Sequence, residues 1–361
     1  MIKVKYLIVF FVALVAIYSC KEKGAQQPAS FKPMAISKVN DVVVLADKDL
    51  WESEVGDTIR YYFESAYPVT PNPEPTFKLR HFDFDQIDAV IARRHFRTYL
   101  VPVDLSDSSS KITKMFLQDI GGDKSKILKG GEPYKIVYGK DKWAKNQLII
   151  YVVAKDRNNL AKAIAENYNT LAAKIHAHDQ GQIEKKTFFA GINAEAQAKI
   201  KEIVGVEVKI PSDYKLAMAD EKLKLVWTRR DSKKAIINFV VQKLKYRDTS
   251  QFSIENVVKL INDFGKYVTT DQEGSRMVVN NRDLPVLRFQ KTINGNYAME
   301  YRGIWEMTKD FMGGAFIAYL IKDKNSDNMV FALGFVYGPG ANKRDYLQQL
   351  MTIANTINFV N

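Results

Sequence analysis

The segment NYAMEYRGIWEMTKDFMGGAFIAYLI, residues 296–321, is the part of the chain whose pattern decides the fold. Successive side chains of a strand point to opposite faces. Tyr297, Met299, Tyr301, Gly303, Trp305 and Met307 therefore share one face, and Ala298, Glu300, Arg302, Ile304 and Glu306 share the other. The first set is apolar and aromatic, as a core-facing surface is. The second puts Glu300, Arg302 and Glu306 in a row, with alternate residues about 7 Å apart from the strand rise. Asp310-Phe311-Met312-Gly313-Gly314 interrupts the alternation, as a tight turn does. Ala315–Ile321 then resumes as a second strand. Two strands joined by so short a turn run antiparallel.

The flanking sequence extends this pattern. LKLVWTRR, AIINFVVQKLKY, MVVN, VLRFQKT and MVFALGFVYG read as further strands, rich in β-branched and aromatic residues. Ser253 can cap a helix carrying Ile254, Val257, Val258, Ile261 and Phe264, which Gly265 stops. A last helix, from Arg344 to Ile357, has Leu347, Leu350, Met351, Ala354 and Ile357 on one face.

Upstream, VVVLA, FKLRHFDF, RTYLVPVDLS, YKIVYG and NQLIIYVVA read as strands, and DQIDAVIAR and SKITKMFLQDI as helices. The helix from Arg157 is the most regular, with Leu160, Ile164, Tyr168, Leu171 and Ile175 on one stripe. The expected class is α+β, with two antiparallel-sheet domains and packed helices, at 41–206 and 207–361. A weak echo links 146–175 with the end of the chain, since both run strand, polar turn, amphipathic helix.

The N-terminus gives an address. Tyr6–Ile17 is almost wholly apolar but shorter than the about 20 residues that span a bilayer. Lys3 and Lys5 precede it and small Ser19 follows, the order of a secretory signal peptide over residues 1–19. Ile17-Tyr18-Ser19-Cys20 resembles a bacterial lipobox. That resemblance implies lipidation of Cys20, which becomes the first residue after cleavage, and a membrane partner reached through acyl chains. Residues 20–40 are polar with two prolines and read as a flexible tether.

Removing 19 residues leaves 342 of 361 and takes away two lysines, so the net charge falls from +12 to +10. Basic residues alternate with acidic ones, as in KEKG and KDKNSD, and no nucleic-acid motif is present; no nucleic-acid partner is expected. With Cys20 the only cysteine, no intrachain disulfide can form.

The 301–321 block, with W-E-M followed by D-F-M-G-G, resembles a family of uncharacterised lipoproteins found in Bacteroidota. The resemblance implies an envelope address and carries no activity. Lys21 lacks the aspartate associated with inner-membrane retention, and KEKGAQQ lacks an acidic surface-export tract, so the outer membrane facing the periplasm is expected. The plan of residues 210–361 is similar to the small α+β domains of the PsbP and Mog1 type, which serve mostly as interaction or accessory modules.

Candidate ligand-binding residues are Glu300, Arg302, Glu306, Asp310, Gly313 and Gly314. The expected reading of these residues is a solvated cross-strand ladder followed by a plain turn; the alternative is a polar ligand held by two carboxylates flanking an arginine beside a glycine pair. His176 and His178 are two apart on a helical pattern and cannot share a metal as an i, i+4 pair does. No metal, cofactor or catalytic residue is assigned. The expected function is a non-catalytic binding or accessory module for an envelope protein or glycan. The alternative is a hydrolase of envelope polymers using paired carboxylates, which would need a cleft holding two of them about 5 to 10 Å apart.

Overall fold

The computed structural model describes residues 32–121, 127–128 and 131–360. The expected signal peptide, Cys20 and the first part of the tether lie outside the described residues. From Lys32 the chain is pinned rather than free. Ala35 donates to the Lys145 carbonyl at 2.9 Å, Ile36 to that of His95 at 2.7 Å, and Asn40 is fully buried.

The α+β class stands. The N-terminal unit is built on β1 (Asp41–Leu45), β2 (Lys78–Phe82), β3 (Thr98–Asp104), β4 (Tyr134–Lys140) and β5 (Leu148–Ala154), in the order β2-β1-β3-β5-β4. Its β1–β2, β1–β3 and β3–β5 pairings are parallel, and only edge strand β4 runs antiparallel. The expectation of an antiparallel sheet here is therefore corrected. The physical reason is that every residue of β1, β3 and β5 is buried, because helices cover both faces, as they do for parallel sheets. Helices α1 (Lys48–Trp51), α2 (Glu54–Phe63), α3 (Phe84–Ala89), α4 (Lys111–Asp119) and α5 (Arg157–Thr187) make the crossovers and cover. α5 buries Leu160, Ile164, Leu171 and Ile175 against one sheet face, as its stripe predicts.

The C-terminal unit adds α6 (Ala194–Val204), β6 (Val206–Glu207), β7 (Lys215–Asp220), β8 (Leu225–Asp231), β9 (Ile236–Lys245), α7 (Ile254–Phe264), β10 (Met277–Asn280), β11 (Leu287–Ile293), β12 (Asn296–Met307), β13 (Gly313–Lys322), β14 (Asn328–Tyr337), α8 (Arg344–Ala354) and β15 (Asn358–Phe359). Eight of these strands form one antiparallel sheet along β10-β12-β13-β14-β9-β8-β7, with β11 also on β12. The hairpin β12–β13 lies inside this sheet, flanked by β10 and β11 on one side and β14 on the other, with Trp305 facing Gly314 and Glu300 facing Tyr319.

This sheet is covered on both faces. α7 packs on the face of Tyr301, Trp305 and Phe316, and α6 and α8 pack on the face of Ala298, Ile317 and Tyr319. α6 thus shares the C-terminal core, and the change of unit falls between α5 and α6 rather than at 206/207. The echo stays local, since β5 belongs to the parallel sheet and β14 to the antiparallel one.

The units meet where α5 packs against α8. Asn40 and Gln348 exchange side-chain amide bonds at 2.9 and 3.0 Å. The Glu74 carboxylate accepts from the backbone N–H of Lys343 (2.6 Å) and Arg344 (2.9 Å). Arg344 donates back to the Pro75 and Thr76 carbonyls.

Candidate functional site

The six candidate residues part into three places. Glu300 and Arg302 form a buried ion pair at the junction of the units. Arg302 Nη2 lies 2.7 Å from Glu300 Oε1, and Tyr319 donates to Glu300 Oε2 at 2.9 Å. The Arg302 guanidinium also donates to the Tyr67 hydroxyl at 3.3 Å and sits over the Phe289 ring. Glu300 is 1% exposed, so the expected solvated ladder is absent. Burial raises the Tyr67 hydroxyl pKa, with Arg302 opposing. Burial alone would lower that of Arg302, but Tyr67 and Glu300 outweigh it and the net shift is upward. This group joins the two units, and its charges are paired within it.

Asp310 stands apart. It accepts from Ser275 Oγ and Thr270 Oγ1, both at 2.5 Å, and these bonds lower its pKa. Its work is to hold the 270–275 loop against the hairpin. Gly313 and Gly314 are in β13 rather than in an anion-holding turn. A Cβ at Gly313 would lie 2.7 Å from the Trp305 carbonyl oxygen, and one at Gly314 1.8 Å from that of Val336. They are glycines because neighbouring strands approach closely there.

Glu306 and both glycines line a cleft of about 510 Å³ between the units. Its opposite wall is the loop after α2, with Tyr67, Val69 and Thr70. Four prolines, Pro68, Pro71, Pro73 and Pro75, stiffen this loop. Val69 sits at φ 62°, a region that β-branched residues avoid and that marks stored strain.

On the sheet side, Asn280 Nδ2 donates to Asp283 Oδ2 at 2.7 Å and to Glu306 Oε2 at 2.9 Å. Arg282 pairs with the other Glu306 oxygen at 2.7 Å. The Asn280 side-chain oxygen Oδ1 accepts from the backbone N–H of Arg282 and Asp283. Two carboxylates are thereby fixed side by side on one wall. Buried Trp305, which also lines the cleft, has an Nε1 with no acceptor among the described residues.

Asn280, Asp283 and the 66–74 loop escaped the sequence reading. Proline density is the available signal in that loop. NNRD carries no pattern beyond that of a turn.

A second acidic cluster lies at the C-terminal edge of the parallel sheet, where such sheets commonly bind ligands. Asp47, Asp49, Asp104 and Asp107 gather there with Ser110 and Arg157 around about 10 Å³ of free space. Ser110 donates to Asp47, and Arg157 pairs with Asp49 and Asp104. Burial raises the Asp47 pKa, against the Ser110 bond. The space is water-sized and closed to a substrate. His176 is packed on Phe77, and no metal-holding group occurs among the described residues.

Two family models match the chain. Residues 35–188 match a domain of unknown function (DUF8532), and residues 193–356 match another (DUF4837). No curated protein matches. Among solved structures, the Ran-binding protein Mog1p of Saccharomyces cerevisiae is similar at 11% identity and TM-score 0.28, over 44% of this chain and 91% of Mog1p. A point mutant of Mog1 gives 11% and 0.27, over 44% and 92%. The human StarD13 (DLC2) lipid transfer and protein localization domain gives 12% and 0.21, over 40% and 89%.

Proposed function

We propose that this protein is a membrane-tethered binding module of the bacterial envelope that holds a hydroxyl-rich chain, a glycan segment, in the cleft between its units. The observation that carries the reading is the wall of Glu306 and Asp283, locked in place by Asn280. Fixed carboxylates accept strongly from vicinal hydroxyls, and a wall ordered in advance reduces the entropy cost of binding. The same two charges repel an anion. The strained Val69 opposite supports a loop shaped for a ligand rather than for its own comfort.

The hydrolase alternative has less support. The Asn280 amide sits between the two carboxylates and Arg282 holds Glu306, so neither is free to act as acid or nucleophile. The tether reading rests on the Cys20 lipobox and the preceding apolar run. No helix among the described residues is long and apolar enough to cross a membrane.

Glu306→Gln keeps the shape and removes the charge. Glycan-array binding followed by titration of the best glycan should show affinity lower by about tenfold, the equivalent of one charge-assisted hydrogen bond. Equal affinity with an equal melt would remove the cleft from consideration. For the address, Cys20→Ser should move the protein out of the membrane fraction; retention after a high-salt wash would overturn the lipid anchor. Protease shaving of intact cells should spare it if it faces the periplasm.

A further inference from the structure

A larger groove of about 1040 Å³ lies at the end of the β8–β9 hairpin, beside α8 and the C-terminal end of α5. It shares no lining residue with the cleft. Lys186, Arg230, Lys233 and Lys234 line it, together with Asp213, Asp231 and Asp345. The carboxylates are already engaged. Asp213 pairs with Arg230 at 3.0 Å, Asp231 with Arg229 at 2.7 Å and Asp345 with Arg344 at 3.0 Å. Lys186, Lys233 and Lys234 have no acidic partner among the described residues, so three positive charges face the groove uncompensated.

The floor is ordered. Arg230 donates to Gln349 Oε1 at 3.2 Å and lies over the Tyr214 ring, while its Nε has no acceptor among the described residues. Ser232 accepts from the N–H groups of Lys234 and Ala235 and donates to the Ala235 carbonyl, which fixes the hairpin carrying two of the lysines. The α8 N-terminus beside the groove does not supply the positive field, because Glu74 occupies its first N–H groups.

We propose that this groove binds a linear polyanion whose repeated carboxylates or phosphates meet Lys186, Lys233 and Lys234. The shape favours a chain over a bilayer, since a concave site takes a strand that enters it, whereas a membrane needs a level basic surface. The volume exceeds what one anion fills and is of the size that holds several ligand units. Lysines are point charges without a fork geometry, so charge spacing and not planar recognition sets the preference.

The test uses the full chain, purified in detergent, with a fluorescent oligogalacturonate as the probe. Unlabelled oligogalacturonate, polyphosphate and mixed micelles containing phosphatidylglycerol serve as competitors. The wild type should bind the probe with an affinity that falls steeply with salt. The triple variant Lys186→Gln, Lys233→Gln, Lys234→Gln should bind at least about tenfold more weakly. Its log–log salt slope should flatten by roughly two units. All three lysines are exposed, so its melt should match the wild type. Stronger competition by polyphosphate than by oligogalacturonate assigns phosphate as the recognised group, and the reverse assigns carboxylate. Unchanged probe binding by the triple variant overturns the proposal, as does competition by the anionic micelles alone. Glu306→Gln should leave probe binding intact, so a failure at the groove and a failure at the cleft are read separately.

Discussion

At the scale of single residues, the pair Glu300–Arg302 marks where alternation stops being informative. Period two assigned Trp305 to the face with Tyr301 and Met307, and all three are buried there. It also put Glu300 and Arg302 on the opposite face, but nothing in residues 296–307 says what covers that face. The cover includes Tyr67, more than two hundred positions away, which a local pattern cannot report. The consequence for Arg302 is definite. Arg302→Ala leaves the Glu300 carboxylate buried and uncompensated, which costs about 3 to 5 kcal/mol for a buried pair broken on one side. Denaturant unfolding should show this as a fall in midpoint, and a midpoint equal to wild type would mean that water reaches Glu300. Trp305→Ala should cost a similar amount, about 3 to 5 kcal/mol, through lost packing against Phe335 and Tyr337. The wild-type Trp305 should accordingly resist acrylamide quenching.

At the scale of elements, strands and helices were legible and their pairing in the N-terminal unit was not. VVVLA and NQLIIYVVA are continuous apolar runs rather than alternating ones, which is the mark of strands buried on both faces in a parallel sheet. NYAMEYRGIWEM alternates and lies in the antiparallel sheet. The run type thus held the distinction, although the composition of the two kinds of strand is alike. Helix ends show the same limit. Ser253 caps α7, as its position beside Ile254 predicts. α8 has no side-chain cap of its own at Lys343, and its anion comes from Glu74 in the other unit. A carboxylate there satisfies free N–H groups and complements the helix dipole. Glu74→Gln should lower stability by about 1 to 2 kcal/mol, as read from chemical denaturation. A loss no larger than that of a surface Glu→Gln change elsewhere would show that the contact is idle.

At the scale of the whole molecule, the contacts of Asn40, Glu74, Arg344 and Arg302 tie the two units together, and His176 lies half-buried near their junction. His176 stacks on Phe77. Burial, then Arg302 and Arg344, pushes its pKa down from 6.5 to about 4. Burial, followed by Arg97, lowers that of His178 as well. A histidine held neutral in the folded state binds fewer protons than it does when unfolded, so stability rises with pH across the interval between the two values. Its full contribution is present above pH 6.5 and is lost as pH falls toward about 4. Asp179, whose pKa is raised mainly by burial, acts in the opposite sense, because protonating it on acidification favours the folded form. Its window runs upward from the unfolded value of 3.8 to its raised folded value, so it overlaps the histidine interval and opposes it there. Between pH 6.5 and 4 the two histidines lose stability while Asp179 offsets part of that loss, and the melting temperature should fall as the buffer is acidified through that range. His176→Phe keeps an aromatic ring against Phe77 and removes the titration, so its melting temperature should be flatter with pH over the same interval. Calorimetry of both proteins should show one transition at neutral pH, as a single body requires. An acid limb as steep in His176→Phe as in the wild type would transfer the effect to His178 or to the carboxylates, and two separate transitions at neutral pH would break the single-body description.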